Sequence, residues 1–239
     1  MAGPLDCIRV LDLTSVGYGP YACQILGDYG AEVVKVESHE GDITRGISPF
    51  RNEGMGHFFI MANRNKRCIV LDLKTERGRE ACLKLVEDVD VIISSIRPAA
   101  MDRLGLGYDD CRAVNEKIIY VALVGFGQSG PYAKRPAYDD IIQGLSGMAA
   151  MQGGRDGPPK FVNASVCDKI CSQVAAHATL AALFSRERTA QGQMVEVPMF
   201  ESMVGFNLVE HHSGQAFEPA LGPAGYERSM VEYRRPYAT

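Results

Sequence analysis

Residues 8–37, IRVLDLTSVGYGPYACQILGDYGAEVVKVE, contain the pattern that decides the fold. The apolar run IRVLDL (8–13) predicts a short buried strand, and EVVKVE (32–37) predicts a second strand rich in β-branched residues. Between them, Pro20 suits the first turn of a helix, and Gly30 is a typical C-terminal stop. A strand, a helix and a second strand in this order predict a crossover unit of a parallel sheet.

The same alternation continues beyond this first unit. Three further apolar runs, at 67–73, 90–95 and 117–127, predict strands, and TERGREACLKLVEDV (75–89) has apolar residues at helical spacing. An alanine-rich segment predicts a long helix from about 169 to 186. The sequence therefore predicts an α/β fold: a Rossmann-like large domain with a mainly parallel sheet and flanking helices.

The second half of the chain has weaker patterns. A glycine-rich stretch, 144–160, predicts a loop, and residues 194–212 read as a strand that runs into a helix. Proline and glycine interrupt the tail without clear periodicity. We therefore expect the large domain to cover residues 1–213 and a linker toward a smaller domain to cover 214–239.

The first turn also contains Gly-x-Gly-x-x-Ala from Gly17, with Glu37 placed 20 positions later, which is the pattern of a dinucleotide site. In such a site the glycine follows the strand almost at once, whereas residues 14–16 intervene here. Pro20 also removes a helix N-terminal N–H that an anion would use. We expect Glu37 to be a solvated strand end. The pattern predicts strand–turn–helix geometry and argues against NAD.

Composition excludes several classes of protein. The 239 residues carry a formal net charge of −4, which gives no electrostatic reason to expect nucleic acid. No apolar run reaches the roughly 18 residues that span a bilayer, and the N-terminus lacks a signal-peptide pattern. The seven cysteines are scattered singly without a CxxC pair, which favours reduced, mostly buried thiols in a cytoplasmic protein. The histidines have no metal-ligand spacing, so we expect no metal.

Eight segments, in collinear order, resemble the family III CoA-transferases; they are residues 11–37, 41–45, 63–80, 97–108, 125–140, 165–170, 180–203 and 234–239. The resemblance implies a subunit longer than this chain, so we expect the chain to be an N-terminal portion that lacks most of the smaller domain. It also implies a homodimer whose subunits thread through one another like linked rings. The substrates implied are an acyl-CoA and a small carboxylic acid, with coenzyme A itself as the only cofactor.

The family's nucleophile is an aspartate just before a long helix, and the matching residue is Asp168. A carboxylate can attack a thioester and form first a mixed anhydride and then an aspartyl-CoA thioester. The field of a helix start would help to keep it ionised. Without the resemblance, Asp168 would be read as a helix N-cap. Ser172 stands where members usually have glycine, which leaves the packing of this helix start open.

A sister group on the same fold racemises 2-methylacyl-CoA thioesters with a His-Asp pair. Tyr138 stands at the histidine position here and is followed by Asp139. Tyrosine, with an ordinary pKa near 10, is a poor general base at neutral pH, so transferase is favoured over racemase. Tyr138 and Asp139 then become supporting residues of the active site. A CoA-binding protein without turnover and an NAD-dependent oxidoreductase complete the alternatives.

The resemblance also implies which residues bind CoA. The formyl-transferring members carry glutamine where Gly17 stands, which argues against oxalate-type specificity. The run SGMAAMQGGRDG (146–157) resembles a mobile glycine loop that closes over the reacting acyl group, although a plain surface loop fits equally. The CoA-binding residues implied are Val16, Gly17, Leu71, Lys74, Arg97, Arg103 and Met199.

Overall fold

The computed structural model describes residues 3–231 and 233–238. Its centre is a six-stranded sheet in the order β3–β2–β1–β4–β5–β6. The pairs β1–β2, β2–β3, β1–β4 and β4–β5 are all parallel. The strands are β1 (Arg9–Leu13), β2 (Glu32–Glu37), β3 (Lys66–Val70), β4 (Val91–Ser94), β5 (Ile119–Val124) and β6 (Gln193–Pro198).

Helices connect the strands and continue beyond them. The long connection between β5 and β6 contains three helices, α6 to α8. Short 3₁₀ turns occupy Ile43–Gly46 and Ser213–Ala216. The helices are α1 (Tyr18–Asp28), α2 (His57–Ala62), α3 (Glu76–Val86), α4 (Pro98–Leu104), α5 (Tyr108–Val114), α6 (Asp139–Leu145), α7 (Met148–Gly153), α8 (Val166–Thr189), α9 (Met199–His211) and α10 (Glu227–Met230).

Burial explains why the strand predictions succeed. Every residue of β4 and β5 is buried, so these strands read as continuous apolar runs, as expected of a parallel sheet covered on both faces. Leu11 of β1 lies beside Val34 on one side and Ile92 on the other. The α/β fold with a mainly parallel sheet is confirmed. The predicted strands all form, with ends that differ by at most three residues from the predicted ones, and 32–37 matches β2.

Two predictions about local structure are wrong, namely the start of the long helix and the loop at 144–160. The long helix begins at Val166 rather than near residue 169, so Asp168 lies inside its first turn and not before it. The glycine-rich stretch 144–160 is not a continuous loop, because Met148–Gly153 forms α7. The sequence MAAMQ supplies good helix formers between glycines, and that local propensity accounts for the turn and a half of helix.

The chain divides into two compact units. The first contains the residues up to Val124 together with Cys171–Val197, and the second contains Gly125–Ile170 with the residues from Pro198 onward. The boundary expected between residues 213 and 214, separating a domain from a linker, stays a prediction. No helix in the described part of the chain is long and apolar enough to cross a membrane.

Candidate active site

A crevice of about 550 Å³ opens in the first unit at the carboxyl ends of the parallel strands. The strand order reverses between β1 and β4, and open α/β sheets bind ligands at such a switch point. The crevice receives side chains from the segments that follow β1, β2, β3 and β4. The lining includes Ser15, Ser38, Leu71, Lys74, Ile96 and Arg103.

The turn between β1 and α1 forms one edge of this crevice. The Ser15 N–H donates to Ser95 Oγ (3.2 Å), which joins the ends of β1 and β4. Val16 has a φ of 69°, a left-handed conformation that is costly for a β-branched residue. Its N–H donates to both carboxylate oxygens of Asp42, at 3.4 and 3.3 Å. A Cβ on Gly19 would collide with the Thr14 side chain, so glycine is required there. The turn is strained and is held by its surroundings.

Buried charges lie beneath the turn. Lys35 Nζ is fully buried, donates to the Thr14 carbonyl (2.6 Å) and lies 3.2 Å from Asp42 Oδ2. Lys66 Nζ, also fully buried, lies 2.8 Å from Asp12 Oδ2. Burial alone would raise the pKa of Asp12, but the ammonium groups of Lys66 and Lys35 outweigh it and lower that pKa. The network is charge-paired, as buried ions must be.

Glu37 belongs to the same region and corrects one expectation. It is buried rather than a solvated strand end, and its Oε2 lies 2.6 Å from Arg45 Nη2. Its Oε1 accepts from Arg45 Nε (2.9 Å) and from the Asp42 N–H (2.9 Å). Arg45 comes from the 3₁₀ turn after β2, which the strand pattern could not reveal. The carboxylate that would hold a ribose hydroxyl in a dinucleotide site is therefore engaged by Arg45.

Three of the residues expected to bind CoA line the crevice together, namely Leu71, Lys74 and Arg103. Lys74 and Arg103 are exposed, which leaves their cationic groups accessible to a ligand. Val16 and Gly17 belong to the turn at the edge, where Val16 is partly exposed and Gly17 is buried. The first unit thus brings two cations and an apolar side chain to one crevice.

Two others lie elsewhere. Arg97 precedes α4 and Arg103 is the second-last residue of that helix, so most of α4 separates the two arginines. At 1.5 Å per residue the separation of their Cα atoms along the helix axis is about 9 Å. Met199 begins α9 in the second unit and is buried.

The second unit contains Asp168 and its neighbours. The Asp168 N–H donates to Asp139 Oδ2 at 2.9 Å. Asp139 is the first residue of α6, so its carboxylate caps the first turn of α8 from a different element. The Ser165 carbonyl accepts from the Lys169 N–H (3.3 Å), which places the start of the helix before Asp168. Asp168 is therefore not the N-cap of α8.

The pKa of Asp168 is raised to about 6. Burial of the carboxyl is the larger cause, and the negative charge of Asp139 is the second; Lys169 opposes both. The field of the helix start, which was expected to help keep this carboxylate ionised, does not offset these two effects. Desolvation outweighs the helix field, and the carboxyl becomes more basic and more nucleophilic than an exposed aspartate.

Sequence reasoning missed Gln143 of α6. Its Nε2 donates to Asp139 Oδ1 (2.6 Å) and to the Ala164 carbonyl (3.2 Å), and its Oε1 accepts from the Val162 N–H (2.8 Å). The signal was available as the i,i+4 spacing of Asp139 and Gln143 on one helix. Tyr138, in contrast, precedes α6 with its side chain 69% exposed.

Ser172 lies in the part of α8 that belongs to the first unit. It is fully buried, and its Oγ donates to the Tyr18 carbonyl of α1 at 2.6 Å. The hydroxyl in place of the family's glycine therefore makes a specific contact between two helices.

All seven cysteines are thiols rather than disulfides, and five of them are buried. Within the described residues, no group of three or more His, Cys, Asp and Glu side chains is arranged to hold a metal ion.

The first unit is an α/β fold with a ligand crevice at the switch point of a parallel sheet, and the second unit contains a half-buried carboxyl of raised pKa. A sequence model described as CoA-transferase family III matches residues 5–239, and the chain belongs to that family. The identification from eight collinear segments is confirmed.

Individual relatives agree with this assignment. An acetyl-CoA:oxalate CoA-transferase of Acetobacter aceti is 40% identical over 206 residues, covering 85% of this chain and 53% of the relative. A formyl-CoA:oxalate CoA-transferase of Streptomyces avermitilis is 42% identical, covering 93% and 54%. The crystal structure of a CAIB/BAIF family protein from Brucella suis matches with a TM-score of 0.87 at 35% identity, covering 94% and 61%. The chain spans about half the length of the curated relatives it matches.

Proposed function

We propose that the protein transfers CoA from an acyl-CoA thioester to a small carboxylic acid, with Asp168 as the covalent nucleophile. The observation that carries the proposal is the environment of Asp168, whose pKa is raised to about 6 by burial and by Asp139. A carboxylate with this pKa is ionised at neutral pH and is still a stronger base than an exposed aspartate. Membership of CoA-transferase family III supports the reaction class.

The chemistry needs only carboxylates and a thioester. The Asp168 carboxylate attacks the thioester carbonyl, the C–S bond breaks, and CoA thiolate leaves behind a mixed anhydride. The thiolate attacks the aspartyl carbonyl and releases the donor acid, which yields an aspartyl-CoA thioester. The acceptor carboxylate then attacks this thioester, forms a second anhydride and expels the thiolate, which attacks the acceptor's acyl carbon. This last step forms the acceptor's acyl-CoA and regenerates the Asp168 carboxylate.

We assign CoA binding to the crevice of the first unit. Lys74 and Arg103 are suited to the CoA phosphates, because both are exposed cations on its lining. Leu71 supplies apolar contact, and the strained turn at Val16 and Gly17 presents backbone at the edge. We retain Arg97 and Met199 as CoA-binding residues by resemblance alone.

Racemisation is the less favoured alternative within the family's fold. It requires a base beside the alpha carbon, and Tyr138 stands at the position of the histidine. Asp139 is engaged by the Asp168 N–H and by Gln143, so its geometry supports a structural role beside the nucleophile rather than a proton-transfer pair. We propose Tyr138 as a hydrogen-bond donor to the thioester oxygen.

We further propose that the protein is a homodimer of interlocked subunits and works in the cytoplasm. The resemblance supports the dimer, and the seven thiols fit a reducing compartment. Light scattering after size exclusion should give a mass near twice the 26.0 kDa of this chain. A monomeric mass at all concentrations would contradict the dimer.

Steady-state kinetics of two variants test the reaction. Asp168→Ala and the nearly isosteric Asp168→Asn should each lose at least about a thousandfold in kcat with acetyl-CoA or formyl-CoA as donor, because the covalent route is closed. Asp140→Asn is the matched control, since Asp140 is an exposed neighbour on α6. Transfer by Asp168→Ala at the rate of the unaltered protein would rule out the mechanism.

A further inference from the structure

We propose that Gln143 is a positioning residue: acting through Asp139, it holds the first turn of α8 in the geometry that aims Asp168 at its substrate. The proposal rests on the proposed function only for the role of Asp168. We use the name bracket for the hydrogen bonds that join Gln143 and Asp139 to one another and to Val162, Ala164 and the Asp168 N–H. All of these residues lie in the second unit.

Gln143 is fully buried, and its amide is engaged on both sides. The nitrogen donates to Asp139 Oδ1 and to the Ala164 carbonyl, and the oxygen accepts from the Val162 N–H. A buried amide is tolerated only when such bonds satisfy it, and here they connect α6 with the segment that leads into α8. One side chain therefore ties two separate pieces of backbone together.

Asp139 connects Gln143 to the proposed nucleophile, Asp168, through two hydrogen bonds. Its Oδ1 accepts from Gln143 and its Oδ2 accepts from the Asp168 N–H. The two oxygens belong to one rigid planar group, so fixing one fixes the other. Without the donor at 143, the carboxylate is free to rotate about its last bond, and the Asp168 N–H loses its aligned acceptor.

The bracket therefore restrains the approach to α8 at three points, which are Val162, Ala164 and the backbone of Asp168. A misplacement of a reacting group by about 1 Å can cost a hundredfold in rate. Removal of the bracket should therefore lower kcat without changing the binding of the CoA phosphates, because Lys74 and Arg103, the proposed phosphate contacts, lie in the first unit.

Two variants of Gln143 test this. Gln143→Met keeps the volume and removes every polar bond, and Gln143→Glu is nearly isosteric, keeps the acceptor toward Val162 and removes the donor to Asp139. Each should lose about tenfold or more in kcat with KM for the acyl-CoA donor changed less than about twofold. Gln173→Met, an exposed glutamine on α8, is the control and should leave both constants unchanged.

A second readout does not depend on activity. Hydrogen exchange at the Asp168 amide should become about tenfold faster in folded Gln143→Glu, because its acceptor is no longer held. The double variant Gln143→Glu with Asp139→Asn restores a donor–acceptor pair, since the new amide at 139 can donate to the carboxylate at 143 and accept from Asp168. It should recover several-fold in kcat over Gln143→Glu.

The outcomes separate the two claims. The role of Gln143 would be overturned if hydrogen exchange at the Asp168 amide were unchanged in Gln143→Glu. It would also be overturned if the loss of kcat came with an equal rise in KM and the double variant gave no rescue. Full activity of Asp168→Ala would instead defeat the covalent mechanism. In that case the exchange measurement would still report whether the bracket holds the start of α8.

Discussion

At the scale of single residues, opposing effects act on the pKa of Asp168. The start of a helix favours a charged carboxylate there, whereas burial and Asp139 oppose it. The second pair of effects is larger and raises the pKa to about 6. The outcome suits a nucleophile, because the group is ionised at neutral pH but is not stabilised so strongly that it cannot attack.

The pH dependence of the reaction follows from this value. In the proposed mechanism the ionised carboxylate is the attacking form, so kcat/KM for the donor should rise with pH and reach half its maximum near pH 6 rather than near pH 4. Asp139→Asn removes one of the two causes of the raised pKa and should move the midpoint to lower pH. Asp140→Asn should not move it. A midpoint that is the same in all three proteins would contradict the assignment.

Ser172 provides a prediction on stability. Ser172→Ala removes a buried bond to the Tyr18 carbonyl and should cost about 1 kcal/mol of unfolding free energy. Ser172→Gly restores the residue usual in the family and should cost about 1 kcal/mol more, because glycine is a poor helix former. Urea denaturation measures both. Equal stability of all three proteins would show that the bond contributes nothing to stability. The kcat of each variant should stay within about twofold of that of the unaltered protein.

At the scale of elements, the turn from β1 into α1 is stabilised by charged side chains that belong to other segments of the chain. Val16 keeps a left-handed conformation because Asp42 accepts its N–H, and Asp42 is in turn paired with Lys35. Lys35 extends from β2, so three separate segments determine one loop. The strain at Val16 thus depends on a network that must remain complete.

Lys35→Met tests the network. The substitution leaves Asp42 without its buried counter-ion and should destabilise the protein by about 3–5 kcal/mol at neutral pH. Lys84→Met is the matched control, because the pair of Lys84 with Glu87 is exposed and should contribute less than about 1 kcal/mol. Thermal or urea denaturation compares the two. A similar small loss in both variants would contradict the structural role of Lys35.

At the scale of the whole molecule, local pattern predicted the sheet but not the site. Buried parallel strands produce continuous apolar runs, so β4 and β5 were visible in the sequence. The start of α8 was missed because the Asp168 N–H is satisfied by Asp139 from a distant element. The burial of Glu37 was missed for the same reason, since its partner Arg45 lies outside the strand.

The resemblance supplied what periodicity could not. It selected Leu71, Lys74 and Arg103 from many similar side chains, and the structure brings these three to one crevice. The resemblance gave no indication of Gln143, because a buried amide that positions another residue is not part of a recognisable sequence motif. Contacts between segments far apart in sequence are the part of a site that a single sequence hides.

The division into two units gives a prediction about binding. Lys74 and Arg103 belong to the first unit and Asp168 to the second, so CoA affinity and covalent chemistry should be separable. Lys74→Gln and Arg103→Gln should each weaken CoA binding by roughly tenfold at low salt, whereas Asp168→Ala should leave the Kd unchanged. Calorimetry measures all three, with Lys84→Gln as control. Unaltered affinity in both crevice variants would place CoA elsewhere.

A covalent intermediate on Asp168 would be visible in the intact mass of the protein after it is mixed with an acyl-CoA donor and trapped with hydroxylamine or borohydride. We expect a donor-dependent mass change that maps to the peptide containing Asp168 and is missing in Asp168→Ala. CoA binding without any adduct, or an adduct on another peptide, would contradict it.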